Sequence, residues 1–170
     1  TVTLNDQPAQ FTASVWFMAT ADGHAGTREI FHRHAVGDRF DWIWNASWLH
    51  ENGANSLYDS LKYPDSSKTT SISDPMEKNR WHHAVIVFDG TKHYTYINGD
   101  LSASKNAPGP LAYGNKNTFH IGTDDDVDYF IGSIDDIRIY NRALGTVASL
   151  SSAFFQDPAH SEGGQSDHWQ

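Results

Sequence analysis

The chain has 170 residues, no cysteine and a formal net charge of −9 at pH 7. This length fits one domain with a sizeable core, and the absence of cysteine excludes disulfides and thiol chemistry. The acidic balance argues against nucleic acids and anionic membranes as partners, because both repel a negative surface. No apolar run approaches the length of a membrane-spanning helix and no signal peptide is recognisable, so we expect no membrane insertion.

Strand-like segments with alternating apolar and polar residues recur along the chain. In order, we predict strands over Val2–Leu4, Phe11–Ala19, Glu29–His34, Arg39–Ala46, Trp81–Phe88, His93–Asn98, Thr118–Gly122 and Tyr129–Tyr140. Turn signals such as Asp89-Gly90 and Asn98-Gly99 separate them. Many short strands joined by such turns predict an all-β fold, a two-sheet antiparallel β-sandwich of the jelly-roll type.

Two segments depart from this pattern. The stretch Ser56–Pro75 is rich in Ser, Asp, Lys and Pro, and we expect a long excursion at the rim of the sandwich. It has room for short strands around Leu57-Tyr58 and Thr69–Ile72. Near the C-terminus, residues 157–170 have little to bury, so we predict a flexible tail or linker there and a single domain over residues 1–156.

Three blocks of sequence carry a family resemblance. They are FTASVWFMA from Phe11 to Ala19, RWHHAVIVFDGTKHYTYINGD from Arg80 to Asp100, and FHIGTDDDVDYFIGSIDDIRIYNRAL from Phe119 to Leu144. In this order they resemble the LamG-like jelly rolls of the concanavalin A-like lectin/glucanase superfamily. The resemblance implies the sandwich fold and gives Trp81, His82 and His83 a structural role at the start of a central strand. It does not imply one activity, because hydrolases, lyases and binding modules share the fold.

The closing strand carries a candidate metal ligand. Asp135 shares the parity of Ile137 and Ile139, two expected core residues, and a buried carboxylate needs a cation or hydrogen-bond donors. The resemblance implies that an Asp at this position ligates a structural calcium, together with backbone carbonyls of the first strand. We therefore expect Ca²⁺ at Asp135. The alternative is that its carboxylate accepts backbone N–H groups and holds no metal.

A second acidic feature is the loop Asp124–Asp128, with four carboxylates in five residues. Its spacing superficially resembles a calcium loop, but the Gly and the terminal Glu of an EF-hand are missing. A solvated hairpin tip is therefore the favoured interpretation.

The segment from Arg28 to Trp48 carries the residue types that bind saccharides. Flat rings stack on the C–H faces of sugars, and planar or charged groups bond their hydroxyls. The candidate binding residues are Arg28, His32, Arg33, His34, Trp42, Trp44, Trp48 and Tyr58. The Arg and His residues among them form a dense cationic patch, which suits a carboxylated or sulfated glycan.

The tryptophans admit a second interpretation. Trp42, Trp44 and Trp48 share one parity and can form the core face of a strand, with Asn45 facing outward. We expect at least one of Trp42 and Trp44 in the core, and we expect Trp48 to present an exposed ring. Trp48→Ala should then weaken glycan retention with little loss of stability, whereas Trp81→Ala should mainly destabilise the fold.

The sequence contains few candidates for catalytic residues. A retaining glucanase of this superfamily needs two carboxylates that flank the scissile bond, and the four glutamates of the chain form no such pattern. Jelly-roll lyases of the alginate type use a Tyr and a His, with Arg and Gln against the uronate, and Thr27-Arg28-Glu29 with His32 or His34 only weakly resembles that set. We therefore assign no catalytic residue.

These observations predict a non-catalytic carbohydrate-binding module that recognises a polysaccharide. Its expected context is a larger secreted bacterial protein, outside the cell or at its surface, with other domains fused to it. Two alternatives stay open: a polysaccharide lyase or glycoside hydrolase of the jelly-roll type, and a laminin-G-like module for protein adhesion.

Overall fold

The computed structural model describes residues 2–3, 7–21, 28–34, 42–51, 54–113, 118–123 and 129–145. These residues form eleven strands and no helix. The strands are β1 Val2–Thr3, β2 Phe11–Ala19, β3 Arg28–His34, β4 Trp42–Glu51, β5 Ala54–Lys62, β6 Lys68–Ile72, β7 His82–Phe88, β8 Lys92–Ile97, β9 Asp100–Asn106, β10 Thr118–Ile121 and β11 Gly132–Tyr140. Within this described part, no helix is long and apolar enough to cross a membrane.

The strands pair into two sheets. One has six strands in the order β1-β10-β3-β4-β5-β6, and the other has five in the order β11-β2-β7-β8-β9. All paired strands run antiparallel. Apolar side chains from both sheets share one core cluster. The predicted two-sheet antiparallel sandwich is therefore confirmed.

Large aromatic rings fill the space between the sheets. Phe11 of β2 stacks on Trp44 of β4 with ring centroids 4.7 Å apart, and Phe88 of β7 lies 6.1 Å from Phe11. Phe17 of β2 meets Trp48 of β4 edge to face at 5.7 Å. Such ring pairs contribute about 0.5–1.5 kcal/mol each beyond the burial of their area. Rings from β2 and β4 thus join the two sheets directly.

The rim excursion predicted over Ser56–Pro75 is wrong. β5 lies inside the six-stranded sheet, between β4 and β6, and the short strands predicted in this stretch are parts of β5 and β6. Leu57 and Leu61 of β5 are buried in the core, but Asp59 stands between them with the same parity. An acidic residue at a core position interrupts the apolar alternation by which a strand is recognised.

β9 is an edge strand that was not predicted from the sequence. Its residues DLSASKN are mostly polar and mostly exposed, as suits an edge that must not pair with other chains. The turn that leads into it was predicted and is confirmed. Asn98 and Gly99 have φ angles of 52° and 96°, which are the positive angles of a tight hairpin turn.

Candidate functional site

The described tryptophans of the predicted saccharide site lie in the core. Trp44 is 2% exposed and Trp48 is 0% exposed, and the indole N–H of Trp48 donates to the carbonyl of Ala21 at 3.2 Å. The prediction that Trp48 presents an exposed ring is therefore wrong. The strand continues to Glu51, so Trp48 keeps the core parity of Trp44. The side chain of Trp42 lies outside the described residues.

Two of the four residues of the predicted cationic patch are buried. His32 and Arg33 are each 2% exposed. The ring of His32 stacks on His120 of β10 at 4.8 Å, and the guanidinium carbon of Arg33 lies 4.9 Å from the centre of the Tyr113 ring. The side chain of His34 lies outside the described residues. Because two of its members are buried, the patch gives little support to an anionic ligand.

The remaining predicted residues, Arg28 and Tyr58, are partly exposed and lie on different strands. Arg28 Nη1 donates to the carbonyl of Tyr129 at 3.3 Å. Tyr58 pairs with Ser47 of β4, on the face of the six-stranded sheet that points away from the core. The predicted residues whose side chains the structure describes are therefore not gathered into one site.

That outer face carries a buried polar network. Glu29 accepts hydrogen bonds from Ser47 Oγ at 2.8 Å and from Asn45 Nδ2 at 3.3 Å. Ser60 Oγ donates to Asn45 Oδ1 at 2.8 Å. The prediction that Asn45 faces away from the core is confirmed. Since these side chains are buried and bonded to one another, the network links β3, β4 and β5 rather than forming an open site.

Asp135 is exposed, so the premise of the calcium prediction is wrong. β11 contains a bulge between Asp135 and Arg138, with Asp136 at a φ of 46°. The bulge takes Asp135 out of the parity of Ile137. Its carboxylate accepts the backbone N–H of Asp136 at 2.8 Å, which is the kind of bond that the metal-free alternative expects.

The structure does not test the calcium expected at Asp135, because the other expected ligands are backbone carbonyls of the first strand. Calcium takes about six to eight oxygen ligands, and the part of the chain that the structure describes contains no group of three or more His, Asp or Glu side chains that could hold a metal ion. The acidic loop Asp124–Asp128 lies outside the described residues. Calcium at Asp135 stays a prediction.

One end of the sandwich carries a two-lobed cleft, which we call the end cleft. It lies where β2 begins, where β5 turns into β6 and where β7 turns into β8. The Tyr113 lobe has a volume of about 550 Å³ and the Tyr63 lobe about 490 Å³. Both volumes fall in the range of about 300–1,000 Å³ that is typical of small-molecule sites. Gly109 and Pro110 line both lobes, so the segment Pro108–Leu111 forms a crest between them.

The Tyr113 lobe has an apolar wall. Its lining residues are Gln7, Pro8, Ala9, Gly90, Gly109, Pro110, Leu111 and Tyr113. The Tyr113 hydroxyl donates to the carbonyl of Pro8 at 2.9 Å. Burial raises the pKa of Tyr113 to about 12, although the nearby Arg33 acts in the opposite direction. The hydroxyl therefore stays neutral and bonded within the protein, and Tyr113 offers its ring to the lobe.

The Tyr63 lobe is more polar. Its lining residues are Tyr63, Pro64, Asp65, Ser67, Lys68, Thr69, Pro108, Gly109 and Pro110. The Tyr63 hydroxyl donates to Thr69 Oγ1 at 2.9 Å, and burial raises the pKa of Tyr63. Asp65 Oδ1 accepts from the Ser67 hydroxyl at 2.5 Å and from the Ser67 N–H at 2.9 Å, and these bonds lower the pKa of Asp65. The lobe thus combines a buried ring with an ionised carboxylate and an ammonium group.

The crest between the lobes is fixed at both ends. The N–H of Ala107 donates to the carbonyl of Thr91 at 2.8 Å, and that of Ala112 donates to Lys62 at 2.9 Å. Gly109 has a φ of +104°, which favours glycine. A Cβ on Gly109 would meet no atom within 4 Å, so the backbone conformation and not crowding requires glycine here. The crest therefore has a defined backbone conformation.

Tyr63 and Tyr113 were missed by sequence analysis, which expected the binding rings among the tryptophans of β4. The signal was local: each tyrosine stands close to prolines, in Tyr63-Pro64 and shortly after Pro108-Gly109-Pro110. Aromatic residues in proline-containing loops at strand ends are candidates for binding. Of the predicted residues, Arg33 is connected to the cleft, because it lies against the ring of Tyr113.

Comparisons with solved structures recover the same fold at low sequence identity. Domain 4 of the extracellular arabinanase AbnA from Geobacillus stearothermophilus, in complex with arabinotriose, is 21% identical with a TM-score of 0.61, over 86% of this chain and 67% of that one. The CBM40 domain of the Ruminococcus gnavus IT-sialidase, bound to α2,6-sialyllactose, is 14% identical with a TM-score of 0.68, over 85% and 82%. A heptameric SAP-like pentraxin from Limulus polyphemus is 20% identical with a TM-score of 0.64, over 88% and 74%.

Sequence comparison identifies the family. No curated protein matches the chain. A family model, Laminin_G_3, matches residues 1–146, which is most of the chain. The two antiparallel sheets and their shared aromatic core agree with that match. The chain belongs to the Laminin_G_3 family of the concanavalin A-like lectin/glucanases superfamily.

Proposed function

We propose that this chain is a non-catalytic carbohydrate-binding module that binds a glycan in the end cleft. The observation that carries the proposal is the cleft itself, with two lobes that are each lined by a tyrosine. Saccharide sites combine ring surfaces with a few fixed polar groups. The crest is fixed at both ends, and a preformed site loses less entropy when a ligand binds.

Proteins of the same fold support this class of ligand. The arabinanase domain is in complex with arabinotriose and the sialidase domain is bound to sialyllactose. Both are parts of enzymes, and the arabinanase is extracellular. The proposal therefore includes a context: the module keeps a larger secreted bacterial protein close to a polysaccharide.

The lining of the cleft supports binding without cleavage. Glycoside hydrolysis takes a pair of carboxylates that flank the scissile bond. Among the described residues that line the two lobes, Asp65 is the one carboxylate, and there is no histidine that could pair with a tyrosine as in a lyase.

The test is affinity electrophoresis in gels that contain arabinan, xylan, β-glucan, polygalacturonate or heparin. At least one polysaccharide should retard the parent protein. Tyr113→Ala should lose most of this retardation because the ring is gone, whereas Tyr113→Phe should keep it. Tyr129→Ala is the matched control, since Tyr129 is 52% exposed and lines neither lobe.

Two results would contradict the proposal. If folded protein, checked by circular dichroism, is retarded by none of the polysaccharides, protein adhesion becomes the better hypothesis. If incubation with them releases reducing ends or unsaturated uronates with turnover, the chain is a hydrolase or a lyase.

A further inference from the structure

We propose that the end cleft takes an uncharged glycan by the interior of its chain, with the chain crossing the crest so that sugar residues occupy both lobes. This inference rests on the proposed function and adds to it the ligand class and the mode of binding.

The crest allows a chain to pass between the lobes. Gly109 and Pro110 line both cavities, so the two lobes are neighbours that share one wall. The absence of a side chain at Gly109 keeps this wall low, and the space above its Cα is open for at least 4 Å. Two adjacent cavities over a low, fixed wall suit a linear oligomer better than a single compact molecule.

The tyrosines contribute rings rather than hydroxyls. The hydroxyl of Tyr113 is bonded to Pro8 and that of Tyr63 to Thr69, both at 2.9 Å. With each phenolic proton bonded inside the protein, neither hydroxyl donates to a ligand. The half-buried Tyr113 presents its ring, whereas Tyr63 is 8% exposed and presents little of its surface. Aromatic rings stack on the C–H faces of sugar rings, and a Phe ring can replace a Tyr ring in such a contact.

The charges of the cleft favour an uncharged ligand. None of the described residues that line the Tyr113 lobe is charged, and those of the Tyr63 lobe include one carboxylate and one ammonium group, Asp65 and Lys68. Arg33 lies against the Tyr113 ring but is buried and does not line the lobe. A uronate or a sulfate in the Tyr113 lobe would lose its hydration without gaining a cation in the wall, which is unfavourable.

The experiment is isothermal titration calorimetry with neutral arabino-, xylo- and laminari-oligosaccharides, each from monosaccharide to hexasaccharide, and with oligogalacturonates as the charged series. In the neutral series that binds, affinity should rise by about tenfold or more between the monosaccharide and the tetrasaccharide and then level off, as a second lobe is filled. Oligogalacturonates should bind more weakly at every length.

Two variants test the two lobes independently without changing a core residue. Ala9→Met narrows the Tyr113 lobe and Ser67→Met narrows the Tyr63 lobe, and both positions are exposed. Because Ser67→Met also removes the hydroxyl that bonds to Asp65, Ser67→Ala is its matched control, with the bond lost and the lobe not narrowed. Ala9→Met and Ser67→Met should each lower the affinity for the hexasaccharide by about tenfold and flatten the dependence on chain length. Ser104→Met, at an exposed position on β9 that lines neither lobe, should behave like the parent.

The outcomes are distinguishable from failure of the proposed function. If monosaccharide and hexasaccharide bind with equal affinity, or if oligogalacturonates bind more tightly, an uncharged chain does not span both lobes. The proposal of a carbohydrate-binding module would still stand. Titrations that show no binding in any series, with gels that show no retardation, overturn both.

Discussion

Trp48 illustrates how a single side chain fastens the two layers of this sandwich. Its ring lies edge to face on Phe17 of the opposite sheet, and its N–H bonds to the carbonyl of Ala21. A residue in this position contributes packing and a satisfied donor. It cannot also stack on a ligand, because none of its surface is accessible.

This position sets an expectation that is the reverse of the one drawn from sequence. Trp48→Ala should lower the free energy of unfolding by about 3–5 kcal/mol, as truncation of buried aromatic residues does. Trp81→Ala should lower it less, because Trp81 precedes β7 and part of its ring is already in solvent. Urea unfolding measures both, and Trp48→Phe serves as the control that keeps most of the volume. A larger loss at Trp81 than at Trp48 would contradict the packing described here.

At the scale of strands, the two sheets are also joined by a polar contact. Asp59 of β5 and His93 of β8 lie in opposite sheets, and neither is accessible to solvent. His93 Nε2 lies 2.5 Å from Asp59 Oδ1, close enough for an ion pair although the two atoms are poorly aligned for a hydrogen bond. Thr95 Oγ1 donates to Asp59 Oδ2 at 2.8 Å. The carboxylate is thus partnered by two groups of β8.

Breaking this contact from one side should be more harmful than removing it. Asp59→Leu and His93→Leu should each lower the free energy of unfolding by about 3–5 kcal/mol, because the remaining partner stays buried without compensation. The double variant should lose clearly less than the sum of the two. A double-mutant cycle in urea unfolding gives the coupling, and Thr95→Val is the control that removes only the hydroxyl bond. Additive losses would mean that the two side chains are not energetically linked.

These elements also show what the sequence can predict. β2 was predicted with both bounds correct, since Phe11, Val15 and Phe17 follow the period of a strand in a sandwich. β5 was predicted only around Leu57-Tyr58, because a long-range partner, His93, is what makes Asp59 tolerable in the core. The predicted core-facing parity of Asp135 is wrong because of a bulge, which local periodicity does not reveal.

The candidate site was harder to predict than the fold for a physical reason. The end cleft is assembled from four segments that are far apart in sequence: residues 7–9, 63–69, 90 and 108–113. No local pattern brings them together, because their proximity follows from the order and register of strands in both sheets. The rings of β4, by contrast, are neighbours in sequence, and the strand period that places them together also places them in the core.

For the molecule as a whole, the acidic limit of stability should depend on His83. This residue lies on the outer face of the five-stranded sheet, where its ring stacks on Trp16 with centroids 4.9 Å apart. Burial lowers its pKa from 6.5 to about 4, with Asp136 acting to raise the pKa and Arg138 acting to lower it. The folded protein therefore holds His83 neutral at a pH where the unfolded chain binds a proton.

The sign of the pH dependence follows from this difference. Between pH 6.5 and about 4 the unfolded state binds more protons at His83 than the folded state does. The contribution of His83 to the free energy of unfolding is therefore complete above pH 6.5 and is lost as the pH falls towards 4. The shift corresponds to about 3 kcal/mol. His83→Phe keeps a ring against Trp16 and cannot titrate. The free energy of unfolding of parent and variant is measured in urea across this pH range. The difference between them isolates His83 from the other nine of the ten histidines. If that difference does not change with pH, His83 is accessible to protons in the folded state and the outer face of this sheet is open where the structure has it closed.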